Sequence, residues 1–444
     1  MTLTTVDRYD DDRVNETGGH AVVVGASVAG LCAARVLHDA FERVTVVERD
    51  ALPDDPTGRR GVPQATQPHL LWEAGRRTLD DLFTGFSEDL HAAGAPAVRA
   101  RRDLLQYSEG DFLAHGADDL TLYTATRPVY EHVLRRRVVA LDGVRIRDRC
   151  HLVEYHTAGG GANVDGVVVR GRSKARDERD TNGESDVGSD GDSDDGNTTA
   201  GGTTTIDADL VVDATGRASR TPSWLATHGY DRPALEEVGI DVAYATVTVD
   251  RPGDDTRAIG VLAEAPRTRG GVALPVEGDR WLVNLHGVHG DHPPTDEAGL
   301  RRFAGTLPTP EIAQILDGHA WDGAAVREYR FPSNRRYRYA DLDRFPRGLA
   351  VVGDAVASFN PIYGQGMSVA ALEALALHEV LGEATAGGTE PGAGVPLALR
   401  VFDRAAPIVD TAWGMAVGAD FGYSQTGTQH RCGDRRRRFR RPFR

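Results

Sequence analysis

An apolar segment that runs into a glycine-containing turn restricts the fold of this sequence more than any other feature. After His20 the chain is apolar to residue 24, the turn Gly25-Ala-Ser-Val-Ala-Gly follows, and residues 31–37 have a helical pattern. A second apolar segment, 44–47, ends in Glu48. This order of strand, turn, helix and strand is the βαβ fingerprint of dinucleotide-binding domains. The sequence therefore predicts an α/β fold with a Rossmann-type domain, a mostly parallel sheet with helices.

The residues of the fingerprint have distinct expected roles. Gly25 permits the tight turn, and Gly30 permits close contact between helix and strand. Glu48 lies where a carboxylate accepts hydrogen bonds from a ribose diol. Ser27 replaces the middle glycine, so its side chain must point away from the pyrophosphate or donate a hydrogen bond to it. We expect this region to bind a dinucleotide through Gly25, Ser27, Ala29, Gly30, Glu48 and Arg49.

Two later motifs have the same form, an apolar strand followed by a turn. The stretch DLVVDATGRASR (209–220) contains Asp213, Thr215 and Gly216. The stretch GLAVVGDAVASFNPIYGQGM (348–367) continues into a segment with a helical pattern. Its residues of interest are Gly353, Asp354, Pro361, Gly364, Gln365, Gly366 and Met367.

Together the three motifs resemble those of the group A FAD-dependent monooxygenase superfamily, which has the fold of p-hydroxybenzoate hydroxylase. The resemblance extends from about residue 20 to 420, and three stretches are similar to its epoxidase-like branch: 59–83, 123–138 and 356–367. It implies FAD as the cofactor and a β-sheet substrate domain beside the FAD-binding domain.

The resemblance also implies where FAD would lie. Asp354 would accept hydrogen bonds from the ribityl hydroxyls, and the backbone of Gly364 and Gly366 would approach the isoalloxazine ring. Pro361 suits the beginning of a helix, where its missing N–H costs little. Arg127 would approach the FAD from the second stretch, and the first stretch implicates Arg60, Gln64 and His69.

In such enzymes reduced flavin and molecular oxygen form a C4a-hydroperoxide, which transfers oxygen to an alkene or aromatic substrate. No protein nucleophile is expected, so the catalytic residues are unknown, with His69 a weak candidate. The expected substrate is small and apolar, isoprenoid or polyketide-like, with NADH or NADPH as a candidate electron donor. Aromatic residues of the substrate domain either line its cavity or belong to its core: Tyr244, Trp281, Tyr329 and Phe331. His69, His286 and His289 could act as acids or bases, but for each of them a structural or surface role is favoured.

The sequence departs from the family pattern at three places. Thr215 stands where the family has Asp, and Pro222 stands where it usually has Arg, which bears on direct NAD(P)H binding. The histidine that often follows the Gly-Asp pair is absent, with Val356 and Ala357 near its place. After Gly418 relatives continue with more helix, whereas this chain ends in an arginine-rich tail.

Motif positions and composition predict the following organisation. Residues 1–18 are expected to be disordered, 172–204 to form an acidic disordered insertion, and 386–430 to form a C-terminal helical segment. The tail 431–444 is basic, and a non-native end is as consistent with it as a functional tail. The FAD-binding domain is discontinuous, over 19–66, 125–171, 205–228 and 335–385, and the substrate domain covers 67–124 and 229–334.

The composition narrows the partners. A net charge of −15 disfavours nucleic acid. The three cysteines form no C-x-x-C pair, so neither a metal site nor a disulfide scaffold is expected. No apolar run has the length of a transmembrane helix, and the N-terminus lacks a secretory pattern, so we expect a cytoplasmic protein. Many Asp and a single Lys, Lys174, are typical of halophilic proteins, although a GC-rich genome also favours Arg over Lys.

Other functions remain open at this stage. A flavoprotein that reduces prenyl double bonds, like geranylgeranyl reductases, shares these motifs, and so does a catalytically degenerate FAD-binding protein. A flavin-dependent halogenase is disfavoured, because the sequence has no W-x-W-x-I-P segment and Lys174 lies in the acidic insertion.

Overall fold

The computed structural model describes residues 6–114, 120–157, 163–171, 197–199, 202–321, 326–386 and 395–431. Most of the acidic insertion, including Lys174, and all but the first residue of the basic tail lie outside the described residues.

The described strands are β1 Gly18–Val24, β2 Phe41–Val47, β3 His69–Leu70, β4 Ala97–Arg99, β5 Leu104–Ser108, β6 Asp111–Phe112, β7 Thr121–Ala125, β8 Val144–Arg147, β9 Cys150–His156, β10 Gly166–Gly171, β11 Asn197–Thr199, β12 Thr203–Asp207, β13 Leu210–Asp213, β14 Leu235–Asp250, β15 Ala258–Val261, β16 Arg269–Val276, β17 Arg280–Gly287, β18 Arg327–Tyr337, β19 Leu349–Val351, β20 Ala357–Ser358 and β21 Gly427–Arg431. The helices are α1 Val28–His38, α2 Glu73–Leu82, α3 Phe86–Ala92, α4 Ala100–Asp103, α5 Arg127–Val139, α6 Thr221–Thr227, α7 Glu297–Ala304, α8 Glu311–Gly318, α9 Gly366–Ala386 and α10 Leu397–Asp420.

A five-stranded parallel sheet, in the order β19-β13-β1-β2-β8, forms the centre of the first domain. Its strands are short apolar runs because helices cover the sheet, and Val22, Val212 and Ala350 have no exposed surface. Helix α1 packs against α9, and α9 packs against α2 and α10. The α/β fold class with a Rossmann-type domain and a second, β-sheet domain is confirmed.

The second domain contains a nine-stranded sheet. Eight strands follow the order β20-β18-β14-β17-β16-β15-β5-β6, and β21 pairs with the first half of β14. One face, with Val247 and Val283, is buried beneath α7 and α8. Trp281 lies on that face without exposed surface, and its Nε1–H donates to the Arg257 carbonyl oxygen at 3.2 Å. Because side chains alternate along a strand, Trp281 points to the buried face. It therefore belongs to the core and does not line a cavity.

The segments that flank the acidic insertion pair with each other. β10 and β12 are antiparallel, with Val167 opposite Ile206, in a four-stranded sheet ordered β11-β12-β10-β9. No helix of the described ranges combines the length and the apolar composition that crossing a bilayer requires.

The described N-terminal residues, 6–17, make contacts with the first domain, which differs from the expectation of disorder. The Tyr9 hydroxyl donates to Asp39 at 2.8 Å, His378 Nε2–H donates to the Asp10 carbonyl oxygen at 2.8 Å, and Val14 is buried. Polar composition alone predicts disorder here because these partners lie far away in sequence, on α1 and α9.

Candidate functional site

The three sequence motifs meet at one edge of the parallel sheet. Gly25 follows β1, Glu48 follows β2, Ala214 follows β13 and Gly353 lies just after β19. Backbone hydrogen bonds join these strand ends: Gly25 N–H donates to Val47, and Ala214 N–H donates to Val24. Because parallel strands end at the same edge, the turns form one cleft there.

The first turn has no space for side chains at its two glycines. Gly25 has φ +111°, and a Cβ there would lie 2.5 Å from the Ala214 carbonyl oxygen. A Cβ on Gly30 would lie 1.8 Å from the Gly25 carbonyl oxygen. The first motif therefore packs directly on the second.

Ser27, which replaces the middle glycine, binds helix α5. Its hydroxyl donates to Glu131 Oε1 at 2.8 Å and accepts from Arg127 Nη2 at 2.6 Å. Arg127 Nε donates to the same Glu131 oxygen at 2.9 Å. The serine therefore fixes Arg127 beside the glycine turn.

Glu48 lies in a buried ionic network. Its oxygens accept from Ala26 N–H at 2.9 Å and Asp50 N–H at 3.0 Å, and Arg59 Nη1 lies 3.0 Å away. Arg59 also contacts Asp50 and Glu131, at 3.2 and 3.1 Å. Burial opposes the charge of Arg59, but Glu131 and Glu48 nonetheless raise its pKa.

Arg59 is a residue that sequence reasoning missed. The expected residues Arg49 and Arg60 are exposed, whereas the side chain of their neighbour Arg59 is 6% exposed. The sequence contains no signal that separates Arg59 from Arg60, because only the direction of the loop decides which one is buried.

Asp213 organises the second turn. Its carboxylate has no exposed surface and accepts hydrogen bonds from Thr215 N–H and the hydroxyls of Tyr155, Thr215, Ser219 and Thr221, at 2.5–3.0 Å. These donors occupy both oxygens, so the side chain shapes the loop instead of facing the cleft. Thr215 and Gly216 are half-buried, and Gly216 has φ +73°.

Asp354 lies beside Gly216, since a Cβ on that glycine would be 3.8 Å from the Asp354 Cβ. Its surface is exposed, yet desolvation by the surrounding protein raises its pKa, opposed by Arg127 and Arg217. Gly353, with φ +67°, supports this turn, and a Cβ there would lie 2.6 Å from Ala29 Cβ.

The loop that precedes α9 completes this wall. Gly364 has φ +64°, Pro361 and Gly366 are exposed, and Met367 is buried. Gln365 Oε1 is buried and finds no hydrogen-bond partner in the described part of the chain.

A buried polar cluster that the sequence did not reveal fixes this loop. Asp420, at the end of α10, accepts from Asn334 Nδ2 at 2.6 Å, Asn360 Nδ2 at 3.0 Å and the Tyr363 hydroxyl at 3.1 Å. Asn360 N–H donates to Asn334 Oδ1 at 2.6 Å.

His69 lies across the cleft, near Arg127. Its Nδ1–H donates to the Gln67 carbonyl oxygen at 2.8 Å, and burial and Arg127 lower its pKa to about 4. His69 is therefore neutral, with Nε2 as an acceptor. The half-buried Gln64 lies in the 3-10 helix Pro63–Thr66 before it.

The face of the nine-stranded sheet away from α7 and α8 carries polar and aromatic side chains. Gln67 Oε1 accepts from the Thr246 hydroxyl at 2.6 Å and Asn284 Nδ2 at 3.2 Å. Tyr244 and Tyr329 lie on this face with ring centroids 5.9 Å apart. Phe331 follows on the same side, with the Arg217 guanidinium 4.7 Å above its ring.

The other two candidate histidines, His286 and His289, contact residues of the protein. His286 Nε2 accepts from Ala263 N–H at 3.3 Å, its Nδ1–H donates to Asn284 Oδ1 at 3.2 Å, and burial lowers its pKa to about 3. His289 contacts Thr426 through Nε2 at 3.1 Å.

Comparison with known proteins identifies the family. The sequence is 37% identical over 379 residues to Protein Rv3254 of Mycobacterium tuberculosis, and the match covers 83% of this chain and 74% of that protein. The chain belongs to the family of Protein Rv3254. No family model matches the sequence.

Solved structures establish the kind of fold that this Rv3254 relative has. PqsL of Pseudomonas aeruginosa in complex with 2-aminobenzoylacetate matches with a TM-score of 0.60 at 18% identity, over 91% of this chain and 95% of that one. The myxobacterial FAD-dependent halogenase CndH matches with a TM-score of 0.58 at 16% identity, over 90% of this chain and 80% of that one. The chain thus has the fold of the FAD-dependent monooxygenase superfamily, as its motifs predicted, and halogenases share that fold.

Proposed function

We propose that this protein is an FAD-dependent oxidoreductase, and specifically a monooxygenase that transfers oxygen to an apolar alkene or aromatic substrate. The observation that carries the proposal is the meeting of three motifs at the ends of β1, β2, β13 and β19. Nucleotides bind α/β sheets at this edge, where loops and a helix N-terminus face a crevice.

The polar atoms of the cleft fit FAD. Asp354 and the unpartnered Gln365 Oε1 offer acceptors to the hydroxyl and N–H donors of a flavin. Glu48 has three protein partners, and a carboxylate has about four acceptor positions, so a ribose hydroxyl completes its set. Arg127 and the first turn of α1 place positive charge near the expected pyrophosphate.

When bound and reduced, FAD would itself react with molecular oxygen, and this is the chemistry that the cofactor would supply. The protein's part is to orient the substrate and to exclude water. Of the aromatic side chains on this face of the second sheet, Tyr244 and Phe331 are buried and Tyr329 is half-buried, so Tyr329 is the one that we expect a flat unsaturated substrate to contact. His69 and Gln67 add polar groups beside it, and oxygen transfer to a double bond needs no protein nucleophile.

The electron donor in this proposal is NADH or NADPH. Thr215 and Pro222 depart from the family pattern at positions linked to NAD(P)H, so a separate reductase is the alternative that a test must distinguish.

The test is an oxygen-electrode screen of the FAD-reconstituted protein. We expect yellow protein whose oxygen uptake with NADH or NADPH rises when an isoprenoid, polyketide-like or aromatic alkene is added. Oxygen uptake that appears only after a reductase is added would mean that a separate protein reduces the flavin. Substrate reduction without oxygen would favour a prenyl-type reductase, and bound FAD with no turnover of any kind would favour a degenerate protein. Colourless, folded protein after reconstitution would contradict the proposal.

A further inference from the structure

Glu373 is a buried carboxyl that the proposed function does not use. It lies in the second turn of α9 and is 2% exposed. Its Oε2 accepts from the Gly353 N–H at 2.5 Å. Helix α9 is thereby joined to the turn that carries Asp354, on the side away from the cleft.

The Gly353 turn depends on this contact. Gly353 adopts φ +67° and packs so closely against Ala29 that a Cβ on the glycine would lie 2.6 Å from Ala29 Cβ. The N–H at this position points into the protein, where an unpaired donor is destabilising. Glu373 supplies the acceptor, so the orientation of Asp354 depends on a side chain that does not itself face the cleft.

The charge of Glu373 is constrained by Asp354. A buried carboxyl ionises less readily when another carboxylate lies near it. Burial raises the pKa of Glu373 to about 8, with the Gly353 N–H opposing and Asp354 adding to the shift. Arg127 and Arg217 favour the anion at Asp354 and oppose the desolvation that raises its pKa.

The other groups around Glu373 are compensated. A small crevice beside it is lined by Arg336, Tyr337, Arg338 and Tyr339 and by Asp410 of α10. Arg336 pairs with Glu236 and Asp410, and Arg338 pairs with Asp341 and Asp410. Among the residues that the structure describes, these cations therefore leave Glu373 without a dedicated counter-charge.

We propose that Glu373 is a positioning residue that keeps its proton, so that the pair carries a single negative charge, located on Asp354 in the cleft. The inference rests on the proposed FAD site for its functional consequence. Ionisation of Glu373 places a second negative charge behind the turn, and FAD binding then weakens.

The test compares FAD affinity from pH 7 to 9.5 in the wild-type protein, Glu373→Gln and Glu383→Gln. Gln keeps the acceptor for Gly353 and cannot ionise. Glu383 is an exposed residue of the same helix, paired with Arg400 and Arg404, and serves as the matched control. We expect the dissociation constant of the wild type and of Glu383→Gln to rise about tenfold over this range, and that of Glu373→Gln to stay constant. Loss of FAD by Glu373→Gln at pH 7, or a pH profile that all three proteins share, would overturn the proposal.

A measurement without FAD separates this inference from the proposed function. The folded protein holds a proton on Glu373 that the unfolded chain releases, so its stability falls as the pH rises from the ordinary glutamate pKa to about 8. We therefore expect the unfolding equilibrium constant of the cofactor-free wild type, measured with urea, to increase relative to that of Glu373→Gln as the pH rises from 5 to 8. The ratio of the two constants should grow about tenfold or more over this range. Infrared spectra of the wild type should show the absorption of a protonated carboxyl at pH 7. This measurement needs no variant, so it does not depend on whether a variant folds. Absence of both effects would refute the inference even if FAD binds, whereas a protein that shows both and binds no FAD would refute only the proposed function.

Discussion

Asp354 is the residue whose surroundings most directly predict a ligand contact. Asp354 is an exposed residue beside Gly216, and desolvation nonetheless raises the pKa of its carboxyl. We predict that Asp354→Ala weakens FAD binding by about 1–3 kcal/mol, because hydrogen bonds to the ribityl hydroxyls are lost. Titration of flavin fluorescence measures the change.

The control for this variant is Asp343→Ala, which removes an exposed carboxyl from the loop before β19. It should bind FAD like the wild type. Equal affinities for Asp354→Ala and Asp343→Ala would mean that the Gly-Asp turn does not contact the cofactor.

Gly30 tests the packing of the first motif on the second. A Cβ at this position meets the Gly25 carbonyl oxygen at 1.8 Å, a backbone atom that cannot rotate away. We predict that Gly30→Ala lowers the free energy of unfolding by about 1–3 kcal/mol or more, as overpacking does. Urea denaturation of the cofactor-free protein measures it.

Gly414 provides the matched substitution, because it lies within α10 and a Cβ at this position would have no atom within 4 Å. Gly414→Ala should be neutral or should stabilise the protein by up to about 1 kcal/mol, since alanine favours helix. Similar losses in both variants would show that the Gly30 contact is not responsible.

The residues of the site were predictable from sequence where the backbone sets their place. Gly25, Glu48, Gly216 and Gly353 follow strands, so the order of a parallel sheet brings them together. Side-chain direction was not predictable in this way. Arg59 contacts Glu48 while Arg60 is exposed, and the Asp213 carboxylate binds its own loop. Such differences depend on contacts between residues distant in sequence.

At the scale of elements, the loop before α9 is held from two other elements. Asp420 ends α10 and Asn334 lies on β18, and both bind Asn360. We predict that Asp420→Ala lowers the free energy of unfolding by about 2–4 kcal/mol, because the buried amides of Asn334 and Asn360 and the half-buried Tyr363 hydroxyl lose their acceptor. Amide hydrogen exchange at residues 360–366 should also become faster. A general loss of stability would speed exchange throughout the protein and not in this loop alone.

Asp403 is an exposed carboxyl of the same helix and supplies the control. Asp403→Ala should leave both the stability and the exchange pattern unchanged. If Asp420→Ala behaved like Asp403→Ala, the cluster would have no part in holding the loop.

The elements themselves followed from sequence patterns more closely than their contacts did. The apolar segments around residues 22, 46 and 351 are strands, and the segment after Gly366 is a helix. The pairing of β21 with β14 had no signal, because GTQHR is not an apolar alternation and its partner lies far away in sequence. The same reason explains the ordered contacts of Tyr9.

At the scale of the molecule, the two sheets have complementary parts in the cleft. The parallel sheet contributes backbone turns and charged groups, whereas the nine-stranded sheet contributes side chains from β14, β17 and β18. In the proposed function the cofactor contacts lie at strand ends, which a shared motif preserves, and the substrate contacts would come from individual side chains of the second sheet, such as Tyr329. This division explains why the cofactor is easier to propose than the substrate.

The net charge of −15 leads to the last prediction. Repulsion among surface carboxylates destabilises the compact state. Salt weakens this repulsion, because the Debye screening length falls from about 10 Å at 0.1 M to about 3 Å at 1 M. Exposed ion pairs such as Arg301–Glu297 have the opposite dependence, but each contributes only about 0.2–1 kcal/mol. The buried Arg59 network is largely shielded from salt because its side chains lie inside the protein. We therefore predict that the melting temperature rises as KCl increases from 0.1 to 2 M, measured by calorimetry. Sucrose at matched osmolarity is the control for solvent exclusion, and a melting temperature that falls with KCl would mean that ion pairs outweigh the net charge.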